Sequence, residues 1–311
     1  MKIDRRKFLA NTTGIAALSL APLEYLKAKN NTNMQANNFK PIILATNWGF
    51  EGTVDAFCAK AKKAGYDGIE MWWPMEQKDQ QVLFDALKKH ELAIGFLCGV
   101  GEEEPTKHVA AFKNMLNSLL QHTQQTPLYV NCHSGKDYFS FEVNNEIIAF
   151  TIEQSKKSGI PIYHETHRSR MLYSAPNAKL FMEKNEALTI TLDISHWCNV
   201  HESLLHDQEK TVQLALSRTG HIHARVGHAE GPQVNDPRAP EWETTLQRHL
   251  DWWDAVVQMK IKNGAHQMTF LTEFGPPNYM PTMPYTQQPL SNQWEINVYM
   301  MQLLRKRYQQ S

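Results

Sequence analysis

Four acidic or imidazole side chains stand where short β-type runs end. They are Glu165 in Tyr-His-Glu-Thr-His, Asp193 in Thr-Leu-Asp-Ile-Ser-His, His223 in Gly-His-Ile-His, and Glu273 in Leu-Thr-Glu-Phe-Gly. In an extended run, side chains alternate between two faces. By that alternation Tyr163, Glu165 and His167 share one face, as do Thr191 and Asp193; His221, His223 and Arg225; and Thr269, Leu271 and Glu273. The opposite faces are mostly apolar and suit contact with helices, so the polar set points inward and converges. Two carboxylates ~4 Å apart repel by about 4 kcal/mol at an effective dielectric of 20. A divalent cation reverses that sign, and three oxygen ligands with one imidazole suit Mn²⁺, Mg²⁺ or Co²⁺ better than Zn²⁺. These residues predict a site for one divalent ion at Glu165, Asp193, His223 and Glu273. Such an ion can chelate a carbonyl and a neighbouring hydroxyl and ease removal of the α proton.

Other polar and aromatic residues lie within reach of that set. His196 follows Asp193 by one helical turn, and Asn131 and His133 end the fourth run. Glu70, in Asp-Gly-Ile-Glu-Met-Trp-Trp, points inward as a candidate for substrate hydroxyls. His167 and Arg168 lie just beyond Glu165, and Arg225 lies two residues past His223. Trp72, with Trp48, Trp73 and Trp242, offers flat faces for a sugar ring. His221 is expected to be a packed barrel residue. The four cysteines (Cys58, Cys98, Cys132, Cys198) form no CxxC pair, which removes zinc ribbons and disulfide-dense scaffolds.

The elements that position these residues follow from periodicity. β-type runs occur at 42–47, 68–72, 93–97, 128–133, 161–167, 189–193, 221–226 and 268–274. Between them apolar residues recur at spacings of three and four, as in Val54, Phe57, Cys58, Ala61 and Ala64, ended by Gly65. Eight strand–helix alternations predict a single-domain α/β fold, a (β/α)8 TIM barrel over 41–311. The competing doubly wound sheet usually opens with a Gly-rich turn, and Asn47-Trp48-Gly49-Phe50 is not one. Long connections at 227–247 and 275–290 leave the C-terminal ends of the last two strands, where barrels build their sites. Ser291 is expected to cap a last helix reaching 308.

The charge and the first residues concern location. Lys+Arg and Asp+Glu are both 32 among 311 residues, with 14 His; 42% of residues are apolar and 10% aromatic. Such a chain can bury a large core and is not a general polyanion binder. Asp4-Arg5-Arg6-Lys7-Phe8-Leu9 resembles a twin-arginine export signal, followed by a short small-residue apolar run. Residues 1–28 are expected to be that signal, cleaved after Ala28, and 29–40 a flexible tether. Loss of 1–28 removes five positive charges (Lys2, Arg5, Arg6, Lys7, Lys27) and two negative ones (Asp4, Glu24), leaving a net −3. The expected partner is the twin-arginine export machinery, the destination periplasmic or extracellular, with no stable membrane anchor. No cysteine precedes Cys58, so no lipoprotein anchor is expected.

The order Glu165, Asp193-x-x-His196, Gly220-His221-Ile222-His223 and Glu273 resembles the xylose isomerase-like barrels over about 41–308. These include sugar phosphate isomerases and epimerases and the ketose 3-epimerases. The resemblance implies one divalent ion, usually manganese, on Glu165, Asp193, His223 and Glu273. It further implies Glu165 and Glu273 as the proton-transferring pair, and His196 as the substrate-contacting histidine. Two departures bear on the substrate. Ala229 stands where the epimerases carry an arginine six residues after the metal histidine, a role Arg225 could take, and the 227–247 loop is longer. The expected ligand is a small sugar or glycoside. The leading expectation is a sugar isomerase or epimerase. Beside it stand an exported lyase that cleaves 3-keto-glycosides by β-elimination and a non-catalytic sugar-binding barrel. A homo-oligomer is allowed. Abasic-DNA endonucleases share the barrel, but they need more metal-binding histidines and a basic groove, and a net −3 disfavours nucleic acid.

Overall fold

Every run expected to be a strand pairs in parallel with its neighbours in sequence, and the first closes onto the last. The computed structural model describes residues 39–309. The expected export signal, and the expected tether up to residue 38, lie outside the described residues. The strands are β1 (Lys40–Thr46), β2 (Gly68–Trp72), β3 (Ala93–Gly99), β4 (Val130–His133), β5 (Ile162–Glu165), β6 (Ile190–Leu192), β7 (Thr219–His223) and β8 (Gln267–Thr272). Between and after them run α1 (Val54–Ala64), α2 (Gln77–His90), α3 (Pro105–His122), α4 (Phe141–Ser158), α5 (Ala175–Lys184), α6 (Ile194–Val200), α7 (Glu209–Arg218), α8 (Glu243–Lys262) and α9 (Gln293–Tyr308). The result is a closed (β/α)8 barrel.

Alternation divides the buried residues into two layers. Ile43, Ala45, Ile94, Phe96, Ile222 and Phe270 face outward and join the large core beneath the helices. Ile42, Leu44, Tyr129 and Leu271 face inward and form a small separate core inside the barrel. Gly95 makes that interior possible, because a Cβ there would lie 2.5 Å from the Tyr129 ring. The helix signals read in the sequence hold at α1. Thr53 Oγ1 accepts from Ala56 N (3.2 Å), and Gly65 ends the helix at φ 96°, which glycine adopts without strain.

Several boundaries differ from expectation. The barrel begins before residue 41, since Phe39 is buried and Lys40 already pairs with Gln267. The fifth and sixth strands stop early because the chain turns to other partners. Asp193 N donates to Thr166 Oγ1 (2.9 Å), and the Asp193 side chain caps α6. The seventh strand starts at Thr219 and ends at His223, where Arg225 N turns back to the His223 carbonyl (3.0 Å). His167, Asp193, Arg225 and Glu273 therefore sit just past the strands. Asn292, not Ser291, caps α9, accepting from Glu295 N (3.2 Å). The two long connections are laced together, because the buried Gln233 side chain accepts from Gly275 N (2.7 Å) and donates to Gly275 O (3.2 Å). Among the described residues no helix is long and apolar enough to cross a membrane.

His249 of α8 ties the loop after β7 to its helix, since Gly227 N donates to its Nε2 (3.2 Å). Burial pushes its pKa down to about 4, and that of His164 to about 3. The unfolded chain takes up these protons near 6.5, while the folded chain resists. Their stabilisation is thus complete above about pH 6.5 and is lost as pH falls, by ~1.4 kcal/mol per pH unit for each group. Urea unfolding of the metal-free protein at pH 7 and pH 5 will show that loss, and His249→Gln will make it smaller.

Candidate functional site

The strand ends bring Glu165, Asp193, His223 and Glu273 together, each buried, with one ligand atom apiece within 4.8 Å of the others. Glu165 ends β5 and His223 ends β7; Asp193 and Glu273 each lie one residue past their strands. His223 Nδ1 faces the acids, 2.9 Å from Glu273 Oε2 and 3.7 Å from Glu165 Oε1. Its Nε2 faces down the barrel, 3.4 Å from Glu70 Oε1. Burial alone would pull the His223 imidazole down, but Glu273, Glu165 and Glu70 together hold it well above its ordinary value. Burial pushes Asp193 up to about 6, with Glu273 and Glu165 reinforcing it against the pull of Arg225. Burial works the same way on Glu165, yet His133 and His223 hold it well below the usual carboxylate range.

Arg225 is the one arginine or lysine paired with this cluster among the described residues. Its Nη2 donates to Asp193 Oδ2 and lies 3.6 Å from Glu273 Oε2, and its Nε donates to Ser195 Oγ (3.2 Å). Asp193 Oδ1 accepts from Ser195 N (3.2 Å) and from the Ser195 hydroxyl. With His223 neutral, as a metal-bound imidazole is, one guanidinium against three buried carboxylates leaves two negative charges. Glu165 Oε1 is buried with no hydrogen-bond partner. Both observations fit a divalent cation, and the oxygen-rich donor set is of the kind that hard ions take.

Above the cluster opens a cavity of about 380 Å³. Glu273, Arg225, His133 and His167 form its polar wall; Trp48, Trp72, Tyr279 and Leu97 form its apolar wall. Trp72 meets the His133 ring edge-on at 5.2 Å. The sequence expectations for Arg225, His133, His167 and Trp72 thus find these side chains at the cavity. Others lie elsewhere. Glu70 is fully buried below the cluster, where Tyr129 OH donates to its Oε2 (2.7 Å). His196 is fully buried behind the wall, its Nε2 2.8 Å from Arg225 Nη2, and its ring 4.0 Å from that of His167. The alternation rule assigns a face to Glu70 but not a depth. The helical spacing assigns His196 a direction but not the guanidinium in front of it.

Two tryptophans that could have stacked on a sugar are structural. Trp73 is buried against Phe84 and Phe96, and Trp242 Nε1 donates to Asn235 Oδ1 (2.6 Å) within its own loop. His221 is packed inside the barrel as expected, stacked 4.0 Å from Tyr129. Tyr279, like Thr46, Asn47 and Leu97, is a cavity residue that the sequence reading left without a role. Its ring lies 4.9 Å from the Arg225 guanidinium, 4.8 Å from that of Arg168 and 4.7 Å from Trp48. The length of the 275–290 loop was the available signal.

No family model matches the chain, and neither does the sequence of any curated protein. Solved structures do match. A 3-keto-D-glucoside 4-epimerase from E. coli aligns with a TM-score of 0.58 at 13% identity, over 86% of this chain and 100% of its own. A xylose isomerase-like TIM barrel protein from Mycobacterium smegmatis, in complex with magnesium, aligns at 0.55 and 13%, over 85% and 96%. A family 2 AP endonuclease from Brucella melitensis aligns at 0.55 and 15%, over 77% and 95%. The chain shares its fold with these proteins.

Removing the guanidinium strands the buried acids. Arg225→Ala is expected to cost the metal-free protein about 3–5 kcal/mol. Thermal unfolding with chelator and with added divalent ion will show the variant recovering more from metal than the wild type does.

Proposed function

We propose that the protein is a divalent-metal-dependent sugar isomerase or epimerase that moves a proton next to a carbonyl. The single observation that carries this reading is the buried set of three carboxylates and one imidazole beneath an open cavity. Glu165, Asp193, His223 and Glu273 would hold the ion, Mn²⁺ first, with Mg²⁺ or Co²⁺ also suited. When bound, the ion supplies polarisation of a substrate carbonyl and compensation for the negative charge that builds on its oxygen. Glu273 lines the cavity and turns Oε2 toward His223, leaving Oε1 to take a proton from the substrate carbon. Glu165 is the second carboxylate of the proton-transferring pair, from its place across the site on β5. Arg225 and His133 are positioned to donate to substrate oxygens, and Trp48, Trp72 and Tyr279 to cover the apolar face of a ring. The cavity wall offers a single guanidinium and no lysine, which suits a neutral sugar better than a nucleic-acid backbone.

The size of the cavity favours a second reading of the same site. About 380 Å³ walled by three aromatic rings has room for a substituent beyond the reacting ring. If the sugar is a 3-keto-glycoside, proton removal at C2 leaves the C1 oxygen free to depart, and the outcome is β-elimination. Export through the twin-arginine pathway remains part of the proposal and agrees with a free sugar or glycoside as substrate.

Incubation with Mn²⁺ in D₂O, with free ketoses and 3-keto-glycosides in turn, tests both readings. Isomerised product carrying deuterium supports the first, and released aglycone supports the second. Glu273→Gln is expected to lower kcat by about 10²–10⁴-fold. Full turnover in both Glu165→Gln and Glu273→Gln would remove this site from the chemistry, and binding of sugar without any turnover would leave a sugar-binding barrel.

A further inference from the structure

The Tyr279 ring is held between two guanidiniums, 4.9 Å from Arg225 and 4.8 Å from Arg168, with Trp48 meeting it edge-on at 4.7 Å. The segment that carries it is fixed. Met280 is buried, and Tyr279 N and Met280 N both donate to the Pro276 carbonyl (2.9 and 3.0 Å). Just before it, Gly275 is tied to Gln233, and Gln293 Nε2 donates to the carbonyls of Phe274 and Trp48 (2.8 Å each). Tyr279 brings the only phenol to the cavity wall among the described residues, and no hydrogen bond engages its hydroxyl there. Burial pushes that hydroxyl above its ordinary pKa; Arg225 and Arg168 pull against burial, while Asp193 and Glu273 add to it. The group is therefore protonated at neutral pH, with two positive charges beside the oxygen that losing the proton would leave. Other polar groups of the wall are engaged or weakly acidic. His133 Nε2 is turned to Glu165, 2.5 Å from Oε2, and His167 Nδ1 donates to the Arg168 carbonyl. Thr46 and Asn47 offer only an alcohol and an amide.

We propose that Tyr279 is the general acid of the elimination, giving its proton to the aglycone oxygen as the bond to C1 breaks. The proposal rests on the β-elimination reading of the site and adds the group that reading lacks. An alkoxide leaves a sugar slowly unless a proton reaches it, and an acid placed in the cavity wall removes that obstacle. The step balances without a co-reactant. Glu273 takes the proton from C2, and the electron pair left there forms the C1–C2 double bond. The C1–O bond breaks with its electrons going to the aglycone oxygen, which takes the Tyr279 proton. The products are an unsaturated 3-keto sugar and the free alcohol or phenol. The tyrosinate between Arg225 and Arg168 is then reprotonated, through water, by the proton that Glu273 gives up.

Tyr279→Phe keeps the ring between its guanidiniums and removes only the hydroxyl. The full-length wild type and variant, loaded with Mn²⁺, are each given two 3-keto-glucosides in D₂O, one of methanol and one of 4-nitrophenol. Methoxide needs a proton in order to leave, whereas 4-nitrophenolate departs without one. The variant is expected to release methanol about 10²–10⁴-fold more slowly and 4-nitrophenol at close to the wild-type rate. Deuterium should still enter C2 of its unreacted methyl substrate, because removal of that proton does not use Tyr279. A merely structural role would slow both releases and the exchange together. Methanol release unchanged in the variant, equal slowing of both aglycones, or loss of exchange at C2 overturns the proposal and leaves the β-elimination reading standing. Release of neither aglycone by the wild type removes that reading, and the proposal with it.

Discussion

Three carboxylates and an imidazole, buried within 4.8 Å of one another, set the condition that the rest of the barrel has to meet. Charges of one sign in a poorly solvated place are tolerated only when a compensating charge is supplied. The chain supplies part of it through Arg225, which is fully buried and bonded to Asp193. The His223 imidazole, held well above its ordinary pKa by Glu273, Glu165 and Glu70 against the effect of burial, supplies more by retaining a proton. A divalent ion would replace that proton, so the same gathering of buried acids favours metal.

The surroundings serve this arrangement from below and from above. Beneath the cluster, Tyr129 donates to Glu70 Oε2, and Glu70 Oε1 faces His223 Nε2 at 3.4 Å. A buried carboxylate behind a histidine fixes which ring nitrogen points at the metal position, here Nδ1. Gly95 leaves room for the Tyr129 ring that begins this series. Above the cluster, Tyr279 lies over Arg225, and Gln233 fastens the loop after β7 to the one after β8. The two long loops thus act on one side chain, Arg225, and through it on Asp193.

The strand-end acids were legible because a period of two assigns each residue to a face, and the face of Glu165, His223 and Glu273 is unambiguous. Eight strand–helix alternations made the closed barrel legible in the same way. Depth was not. Glu70 and His196 point where spacing says they should, but burial behind Tyr129 and Arg225 is a tertiary fact that a local pattern does not carry. Trp73 and Trp72 are adjacent and alternate faces, so one packs in the core and the other opens to the cavity; composition alone treats them alike. Tyr279 sits in a loop without periodicity, where only length marked it. The histidine excess also divides: His108, His164 and His249 make buried hydrogen bonds away from the cavity, while His133, His167, His196 and His223 gather around Glu165.

Anomalous X-ray diffraction from crystals grown with Mn²⁺, recorded at the manganese edge, tests the central claim most directly. A peak enclosed by Glu165, Asp193, His223 and Glu273, with Asp193 turned at least partly from Arg225, is the predicted result. A map with no peak there at saturating Mn²⁺, and the Arg225–Asp193 pair intact, would contradict it.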